Sequence, residues 1–407
     1  VKAVKGVKFA YQATQQTREL LSTFRDMVND AIRICLAENI KGRLKVRNRI
    51  YREFQDRYSV VFCFPYSVAE VAWSIVKKHK RWQRKPHAKR FMFKMDAASF
   101  SLNYSVLSLP FRKGERVLIP LQYGEYQRSF LTDKTLKRGS VTVTESSIII
   151  AFTKEAPMET PSKRLGYDLN EKSIVGSDGT THDLSEVARL HTLYGIRRSI
   201  FYERHPHDGR LKKKFAGSRR EKERVRQALH RVSKLIVEKA RANNEAIVLE
   251  RLKGIRYAHQ RGNGEGKERR RRIAMWPFRL LQSYIDYKAR WAGVPLEYVS
   301  PAYTSKTCHV CGHINRKLKV TDRSWRCPNC GAKLDRDPNS AMNIERRGKI
   351  RCLGEVHPGA RGTDEAVKGN ETTTPILRAE APKSSLQELA PLDWTEPKSD
   401  ICPERVP

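Results

Sequence analysis

Two runs of the sequence carry four cysteines in paired spacing: residues 300–313 read S-P-A-Y-T-S-K-T-C-H-V-C-G-H, and residues 325–344 read W-R-C-P-N-C-G-A-K-L-D-R-D-P-N-S-A-M-N-I. Cys308 and Cys311 form one Cys-x2-Cys-Gly pair, and Cys327 and Cys330 form the other. Fifteen residues, 312 to 326, separate the pairs, a spacing that lets four thiolates close tetrahedrally on one Zn²⁺ ion. The spacing therefore predicts one structural zinc site.

Disulfide pairing and unrelated buried thiols are the alternatives to zinc. An intracellular basic protein keeps its cysteines reduced, which favours zinc. Gly312 and Gly331 follow the pairs and allow the left-handed turn that points backbone amides at the sulfurs. His309 and His313 are competing ligands by residue type, but with four well-spaced cysteines we expect both to be bystanders. The isolated cysteines are interpreted as core or incidental residues: Cys35, Cys63, Cys352 and Cys402.

Acidic residues follow the second cysteine pair and end two apolar runs upstream. Asp335 and Asp337 stand in D-R-D-P-N-S-A-M-N-I, at the start of a helical pattern. Asp168 lies in R-L-G-Y-D-L-N and Glu250 ends A-I-V-L-E, both short strand-like runs. A carboxylate fixed at a helix start beside a metal knuckle is suited to hold a catalytic cation together with acids from other segments.

This combination resembles the TnpB family of transposon-encoded, RuvC-like, RNA-guided nucleases, related to type V CRISPR effectors and to Fanzor proteins. The matching segments, which span about the second half of the chain, are G-Y-D-L-N (166–170), V-L-E-R-L (248–252), Y-K-A-R-W-A-G (287–293), P-A-Y-T-S-K-T-C (301–308) and D-R-D-P-N (335–339). The last two segments are highly specific, and the first two alone are weak. Asn170 departs from the glycine that many relatives carry, which affects only the local turn.

The resemblance implies catalytic, Mg²⁺-binding roles for Asp168, Glu250 and Asp337. Of the paired aspartates, it points to Asp337 as the ligand and not to Asp335. It implies two Mg²⁺ ions, because two-metal hydrolysis of a phosphodiester needs hard oxygen ligands converging from distant segments. A guide RNA and a double-stranded DNA target with a short flanking motif are the implied partners, with sequence read by base pairing to the guide.

The fold expected from these patterns and the resemblance is a multi-domain α/β protein. It comprises an RNase H-like (RuvC) nuclease domain with an inserted zinc ribbon that binds target nucleic acid, and an N-terminal β-barrel wedge domain interrupted by a helical recognition domain. The expected boundaries are wedge 1–15 and 96–156, recognition 16–95, linker 157–162, nuclease 163–302 and 335–352, ribbon 303–334, and a disordered tail 353–407.

Periodicity predicts several of the elements. Apolar residues at helical spacing predict a helix that carries Leu20, Phe24, Val28, Ala31 and Cys35 on one face, and further helices over 184–200 and 220–241. A helix is expected to begin at Ser67, where Ser67 and Glu70 form a capping box. Another is expected to open at Pro277 and close at Gly293, and strands are expected at 296–299 and in a hairpin over 140–153.

The charge balance points to a polyanionic partner. The 407-residue chain has 80 Lys and Arg against 44 Asp and Glu, a net charge of +36, and an excess of this size favours nucleic acid. An anionic membrane surface is a weaker alternative, because no apolar run approaches the ~18 residues of a spanning helix. No signal peptide is recognised at the start, so we expect a cytoplasmic, nucleoid-associated protein if the host is prokaryotic.

Two basic runs are candidate nucleic-acid contacts, and a solvated charged face is the equal alternative for the first. The candidates are Lys77, Lys78, Lys80, Arg81, Trp82, Arg84, Arg269 and Arg270. The last two lie in the glycine- and arginine-rich run 261–272, which lacks the Gly-Lys-Ser/Thr ending of a nucleotide-binding loop.

The sequence thus predicts an RNA-guided DNA endonuclease encoded by a transposable element. Two alternatives stay open: a compact type V CRISPR effector with the same chemistry, and a non-cleaving zinc-ribbon protein that binds or regulates DNA. The presence of all three acids argues against the second alternative.

Overall fold

The computed structural model describes residues 1–79, 85–211, 219–252, 275–319 and 322–353. Within these ranges the chain divides into two compact units. The N-terminal unit holds residues 5–153, and the C-terminal unit holds residues 1–4 and the described residues from 154 onward. The expected tail beyond residue 353 lies outside the described residues.

The N-terminal unit combines helices with two antiparallel sheet regions. A four-stranded sheet has the order β1-β7-β6-β2, and a three-stranded meander has the order β3-β4-β5. The strands are β1 Lys2–Phe9, β2 Met92–Met95, β3 Ser101–Asn103, β4 Val106–Pro110, β5 Arg116–Pro120, β6 Lys137–Thr144 and β7 Ser147–Glu155. The helices are α1 Gln15–Ala37, α2 Arg43–Tyr58, α3 Cys63–Val76 and α4 Glu125–Thr132, with a 3₁₀ turn at Ala97–Ser99. The closed barrel remains a prediction.

The predicted apolar face of α1 is buried in this unit, all five of its residues being at most 1% exposed. Phe24 meets Phe64 of α3 at 6.3 Å and Phe93 of β2 at 5.1 Å between ring centroids, in edge-to-face geometry. The helix periodicity and the β6–β7 hairpin, which turns between Thr144 and Ser147, are confirmed.

One local prediction in this unit needs correction, and one helix was not predicted. Helix α3 begins at Cys63, not at Ser67, because Pro65 is tolerated in a first helical turn. Ser67 is therefore buried inside the helix and caps nothing, and Glu70 instead accepts a hydrogen bond from Lys94 Nζ at 2.6 Å. Helix α2 was not predicted, because its buried face is reduced to three residues in a strongly basic segment: Val46, Ile50 and Phe54.

The C-terminal unit is built on a five-stranded sheet of order β10-β9-β8-β11-β12. Strands β8, β9 and β10 pair antiparallel, whereas β8, β11 and β12 run parallel. The strands are β8 Lys163–Leu169, β9 Ser173–Gly176, β10 Thr181–Asp183, β11 Glu245–Glu250 and β12 Leu296–Val299, and a separate hairpin joins β13 Ser324–Arg326 to β14 Lys333–Asp335. The helices are α5 Ser185–Arg204, α6 Arg219–Ala242, α7 Phe278–Ala292 and α8 Arg336–Arg347.

The two faces of this sheet are covered differently. Tyr167 and Leu249 point into a large apolar core shared with α5, α6 and α7. On the other face Val248 packs with Val299 and with Ile344 of α8. Because side chains alternate along a strand, Asp168 and Glu250 belong to the face that α8 covers. This is a mixed α/β fold in which helix α8 and two strand acids share one side of the sheet.

Most predicted elements of this unit are confirmed. Helix α7 follows Pro277 and ends at Gly293, whose φ of 76° is the left-handed C-terminal cap. Helices α5 and α6 and strand β12 match the predicted positions to within a few residues. None of the helices in the described ranges is long and apolar enough to span a membrane.

Candidate active site and metal centre

Asp168 and Glu250 lie side by side at one edge of the parallel part of the sheet. Asp168 is the second-last residue of β8 and Glu250 is the last of β11. The register pairs Tyr167 with Leu249, and Asp168 and Glu250 are the next residues of these two neighbouring strands. The two acids therefore lie beside each other. Both are only 8% exposed, which is unusual for carboxylates and requires compensation.

Asp337 enters the same region from α8. It lies in the first turn of the helix, where the positive end of the helix dipole stabilises a carboxylate. The negative charge of Asp337 raises the pKa of Asp168, as the charge of Glu250 does. The fold therefore brings all three predicted acids to one site, from segments far apart in the sequence.

Burial and like charge both disfavour the ionised forms of the two strand acids. Burial, followed by the charge of Glu250 and, more weakly, that of Asp337, raises the pKa of Asp168 to about 7. Burial also raises the pKa of Glu250, against the hydrogen bond from Thr304 and the charge of Arg347. A divalent cation would relieve this cost, and carboxylate oxygens are the ligands that Mg²⁺ prefers.

Neighbouring polar groups hold the two strand acids in place. Asn170 Nδ2 donates to Asp168 Oδ2 at 2.9 Å, and the Ser340 hydroxyl also bonds Asp168. The buried Thr304 hydroxyl donates to Glu250 Oε1. Asn170 is thus a direct partner of the first acid.

The paired aspartates at the helix start have different surroundings. Asp337 is 21% exposed and faces Arg323 of the hairpin, whose Nη1 lies 3.4 Å from both carboxylate oxygens. Asp335 is exposed at the end of β14, opposite Ser324. This difference favours Asp337 over Asp335 as the third acid.

The four predicted cysteines form a compact thiol cluster. Cys308 Sγ lies 3.7 Å from Cys330 Sγ, and Cys311 Sγ lies 3.6 Å from Cys327 Sγ. Four thiolates at about 2.3 Å from a tetrahedral Zn²⁺ lie roughly 3.8 Å apart, so the cluster fits zinc. Within the described ranges, it is the one group of three or more histidine, cysteine or carboxylate residues whose donor atoms all lie within 4.8 Å of one another. The donor atoms of the three acids do not all lie within that distance of one another.

The local structure of the ribbon explains the cluster. Gly312 and Gly331 have φ values of 77° and 73°, which confirms the predicted left-handed turns. The hydrogen bond with the His313 backbone, then that with Asn329, lowers the pKa of Cys311. The ring nitrogens of His309 and His313 are not part of the cluster, in agreement with the predicted bystander role.

The structure adds residues that the sequence patterns did not single out. Thr304 holds Glu250, while Asn339 and Asn343 of α8 bond the backbone around the first cysteine pair. The spacing of four between the two asparagines is the signal that could have marked a shared helix face. Thr304 lies in the P-A-Y-T-S-K-T-C segment, but that segment does not indicate its partner, which is 54 residues away.

Two of the predicted nucleic-acid contacts lie within the described residues. Lys77 and Lys78 are exposed directly after α3. The remaining candidates lie outside the described residues: Lys80, Arg81, Trp82, Arg84, Arg269 and Arg270.

Comparison with known proteins identifies relatives of this chain. TnpB-like protein MJ0751 of Methanocaldococcus jannaschii is 32% identical to this chain over 250 residues, which cover 57% of this chain and 87% of that protein. The chain belongs to the TnpB family. Within this TnpB-family chain, residues 278–344 match the family described as "Cas12f1-like, TNB domain", a range that contains α7, all four cysteines and Asp337.

More distant relatives are similar over shorter segments or in fold alone. The CRISPR-associated endodeoxyribonuclease Cas12f1 of an uncultured archaeon is 35% identical over 75 residues, 17% of this TnpB-family chain and 14% of that protein. The cryo-EM structure of a Cas12f1–sgRNA–target DNA complex superposes with a TM-score of 0.56 at 14% identity, covering 82% of this chain and 83% of that one. The superposition on the Cas12f1 structure shows a shared fold.

Proposed function

We propose that this TnpB-family chain is an RNA-guided DNA endonuclease encoded by a transposable element. The observation that carries the proposal is the convergence of Asp168, Glu250 and Asp337 on one face of the C-terminal sheet, with both strand acids buried. The sheet order, antiparallel over three strands and parallel over the rest, supports an RNase H-like (RuvC) domain formed by residues 163–302 and 335–352. The four-cysteine ribbon at 303–334 is its inserted target-binding element.

In this proposal Asp168, Glu250 and Asp337 hold two Mg²⁺ ions. At such a site, bound Mg²⁺ supplies activation of water and stabilisation of the leaving oxygen of a phosphodiester. Thr304 and Asn170 orient the two strand carboxylates. Burial, then the charges of Glu250 and Asp337, raise the pKa of Asp168, and a bound cation would offset that cost. Arg323, more than half exposed beside Asp337, is placed to neutralise a phosphate.

Guide RNA and double-stranded DNA are the proposed partners. The net charge of +36 supports a polyanion, whose phosphates would neutralise much of it. The relatives add support, since one is named a CRISPR-associated endodeoxyribonuclease and another was solved with sgRNA and target DNA. We assign residues 1–15 and 96–156 to a wedge domain and residues 16–95 to a recognition domain, with 157–162 as the linker.

The test is to purify the full chain, sequence the RNA that copurifies, and assay cleavage of DNA matching that RNA in the presence of Mg²⁺. Guide-dependent cleavage that disappears in Asp168→Ala would support the proposal. RNA-independent cleavage, or no cleavage of any matched target, would contradict it.

A compact type V CRISPR effector is the second candidate, favoured by the match of residues 278–344 to the Cas12f1-like TNB domain. The same sequencing separates the two, because a transposon-encoded protein carries RNA from its own element and a CRISPR effector carries repeat-derived RNA. A non-cleaving regulator is the third, and it would bind target DNA without cutting it.

A further inference from the structure

Asn339 is a buried side chain of α8 that faces the zinc ribbon. It is 1% exposed and lies two residues after Asp337. Asn343, one helical turn later, is 4% exposed and lies on the same side of the helix. A buried amide is stable only when its donors and acceptor are satisfied, so the partners of these two side chains are informative.

The Asn339 amide binds the peptide groups on both sides of Cys308. Its Nδ2 donates to the carbonyl oxygen of Thr307 at 2.8 Å, and its Oδ1 accepts the backbone N–H of His309 at 2.9 Å. The His309 ring nitrogen Nδ1 lies 3.1 Å from the same oxygen. This two-point contact fixes the first cysteine pair relative to the helix that carries Asp337.

Asn343 extends the connection to the second strand acid. Its Nδ2 donates to the carbonyl oxygen of Thr304 at 2.9 Å and to that of Thr307 at 2.6 Å. The Thr304 hydroxyl in turn donates to the Glu250 carboxylate. Hydrogen bonds therefore run from the backbone at Cys308 to α8, and from α8 to the residue that holds Glu250.

We propose that Asn339 is a positioning residue through which the zinc-bound ribbon sets the affinity of the acidic site for Mg²⁺. The inference rests on the proposed function, since it assigns Asp337 and Glu250 as ligands. Bound zinc would fix the conformation of the Cys308–Cys311 turn. The hydrogen bonds of Asn339 to this turn then fix the distance between α8 and the ribbon. Both polar ends of its amide are engaged by the ribbon, so Asn339 acts through Asp337 and is not a ligand itself.

The reason to expect an effect on affinity is the spacing of the acids. The donor atoms of the three acids do not all lie within 4.8 Å of one another, as those of the cysteines do, and like charges repel. The helix end that carries Asp337 must therefore be held in place if the three acids are to bind a cation together. Loss of the amide frees that helix end without removing any ligand.

The experiment compares full-length wild type, Asn339→Ala and Met342→Ala. Met342 is a matched control, since it lies on the same helix with 36% of its surface exposed. Three quantities are measured: zinc per chain, Mn²⁺ affinity by electron paramagnetic resonance with Mn²⁺ standing in for Mg²⁺, and the Mg²⁺ concentration that gives half-maximal cleavage.

Asn339→Ala is expected to keep one zinc per chain and to weaken Mn²⁺ affinity by roughly tenfold, the lower end of effects for groups that orient metal ligands. Half-saturating Mg²⁺ should rise by a similar factor, and excess Mg²⁺ should restore cleavage. Met342→Ala should match wild type in all three measurements.

Unchanged Mn²⁺ affinity in Asn339→Ala, or loss of its zinc, would overturn the inference by assigning the residue to ribbon folding alone. Asn339→Ser, which removes the two-point amide but keeps a hydroxyl, replaces the alanine variant if the latter does not fold. Because the Mn²⁺ titration needs no cleavage, an inactive wild type that binds Mn²⁺ would count against the proposed function and not against the positioning role.

Discussion

Gly166 of β8 lies directly against Ala341 of α8: a Cβ atom built on Gly166 would come within 2.2 Å of the Ala341 carbonyl oxygen and 2.4 Å of the Glu345 backbone nitrogen. Only a residue without a Cβ allows this approach of helix to strand. Because Gly166 precedes Asp168 by two residues on the same face, the approach also sets the distance between Asp168 and the start of α8. The glycine in G-Y-D-L-N is therefore a requirement of the site.

Gly166→Ala is expected to push α8 off the sheet, because both obstructing atoms are backbone. We expect destabilisation of about 1–3 kcal/mol or more, together with loss of cleavage. Urea unfolding and cleavage assays measure the two effects. The control is Gly209→Ala, since no atom lies within 4 Å of a Cβ built at that position. Equal behaviour of the two variants would contradict this account of the packing.

Asp168→Ala, Glu250→Ala and Asp337→Ala should each abolish guided DNA cleavage and leave binding of guide and target nearly intact. These acids are proposed to hold Mg²⁺ and contribute little to a binding surface dominated by Lys and Arg. Cleavage and gel-shift assays with guide RNA and Mg²⁺ measure both properties. Asp335→Ala is the matched control and should have a milder effect, because Asp335 is exposed at the end of β14. Full cleavage by Asp168→Ala would show that the site is misassigned.

Asp168→Asn should stabilise the protein in Mg²⁺-free buffer at about pH 8. The folded protein raises the pKa of Asp168 from 3.8 to about 7, through burial and the charges of Glu250 and Asp337. Folding is therefore penalised increasingly as pH rises from about 4 through 7, because the unfolded chain gives up this proton first. The asparagine removes that penalty, so its Tm should exceed that of wild type by a few degrees at pH 8 and by much less at about pH 4.5. A gain that is independent of pH would point to a different cause.

Cys308→Ser and Cys330→Ser should each release about one zinc per chain and unfold the ribbon, because structural zinc supplies much of the folding free energy of such a small module. Elemental analysis and limited proteolysis between residues 303 and 334 report the two changes. Cys35→Ala, in the core of the N-terminal unit, should keep its zinc. Wild-type protein without zinc would contradict the assignment.

RNA affinity should fall steeply with salt between roughly 50 mM and 200 mM, since many phosphates are neutralised together and their counterions are released. Filter binding at several salt concentrations gives the slope. The control is a variant in which Lys77 and Lys78, both exposed after α3, are changed to Ala, and its slope should be shallower if these residues contact phosphate. A nearly flat dependence in wild type would count against a polyanionic partner.

The sequence by itself determined the features that depend on short spacings. The two Cys-x2-Cys-Gly turns encode their own geometry, so the thiol cluster and the left-handed Gly312 and Gly331 follow from local chemistry. Helical periodicity and the Pro277 and Gly293 boundaries likewise depend on neighbours within one or two turns. The motif segments also pointed to the three acids individually.

Only the tertiary structure decided how those acids meet and what holds them. The parallel register of β8 on β11 puts Asp168 and Glu250 on the same face, and a slip of one residue would have placed one of them in the apolar core. The contacts of Thr304 with Glu250, and of Asn339 with the peptides around Cys308, join residues 54 and about 30 positions apart. Such contacts arise from the packing of α8 on the sheet, which is a property of the whole C-terminal unit and leaves no periodic trace in the local sequence.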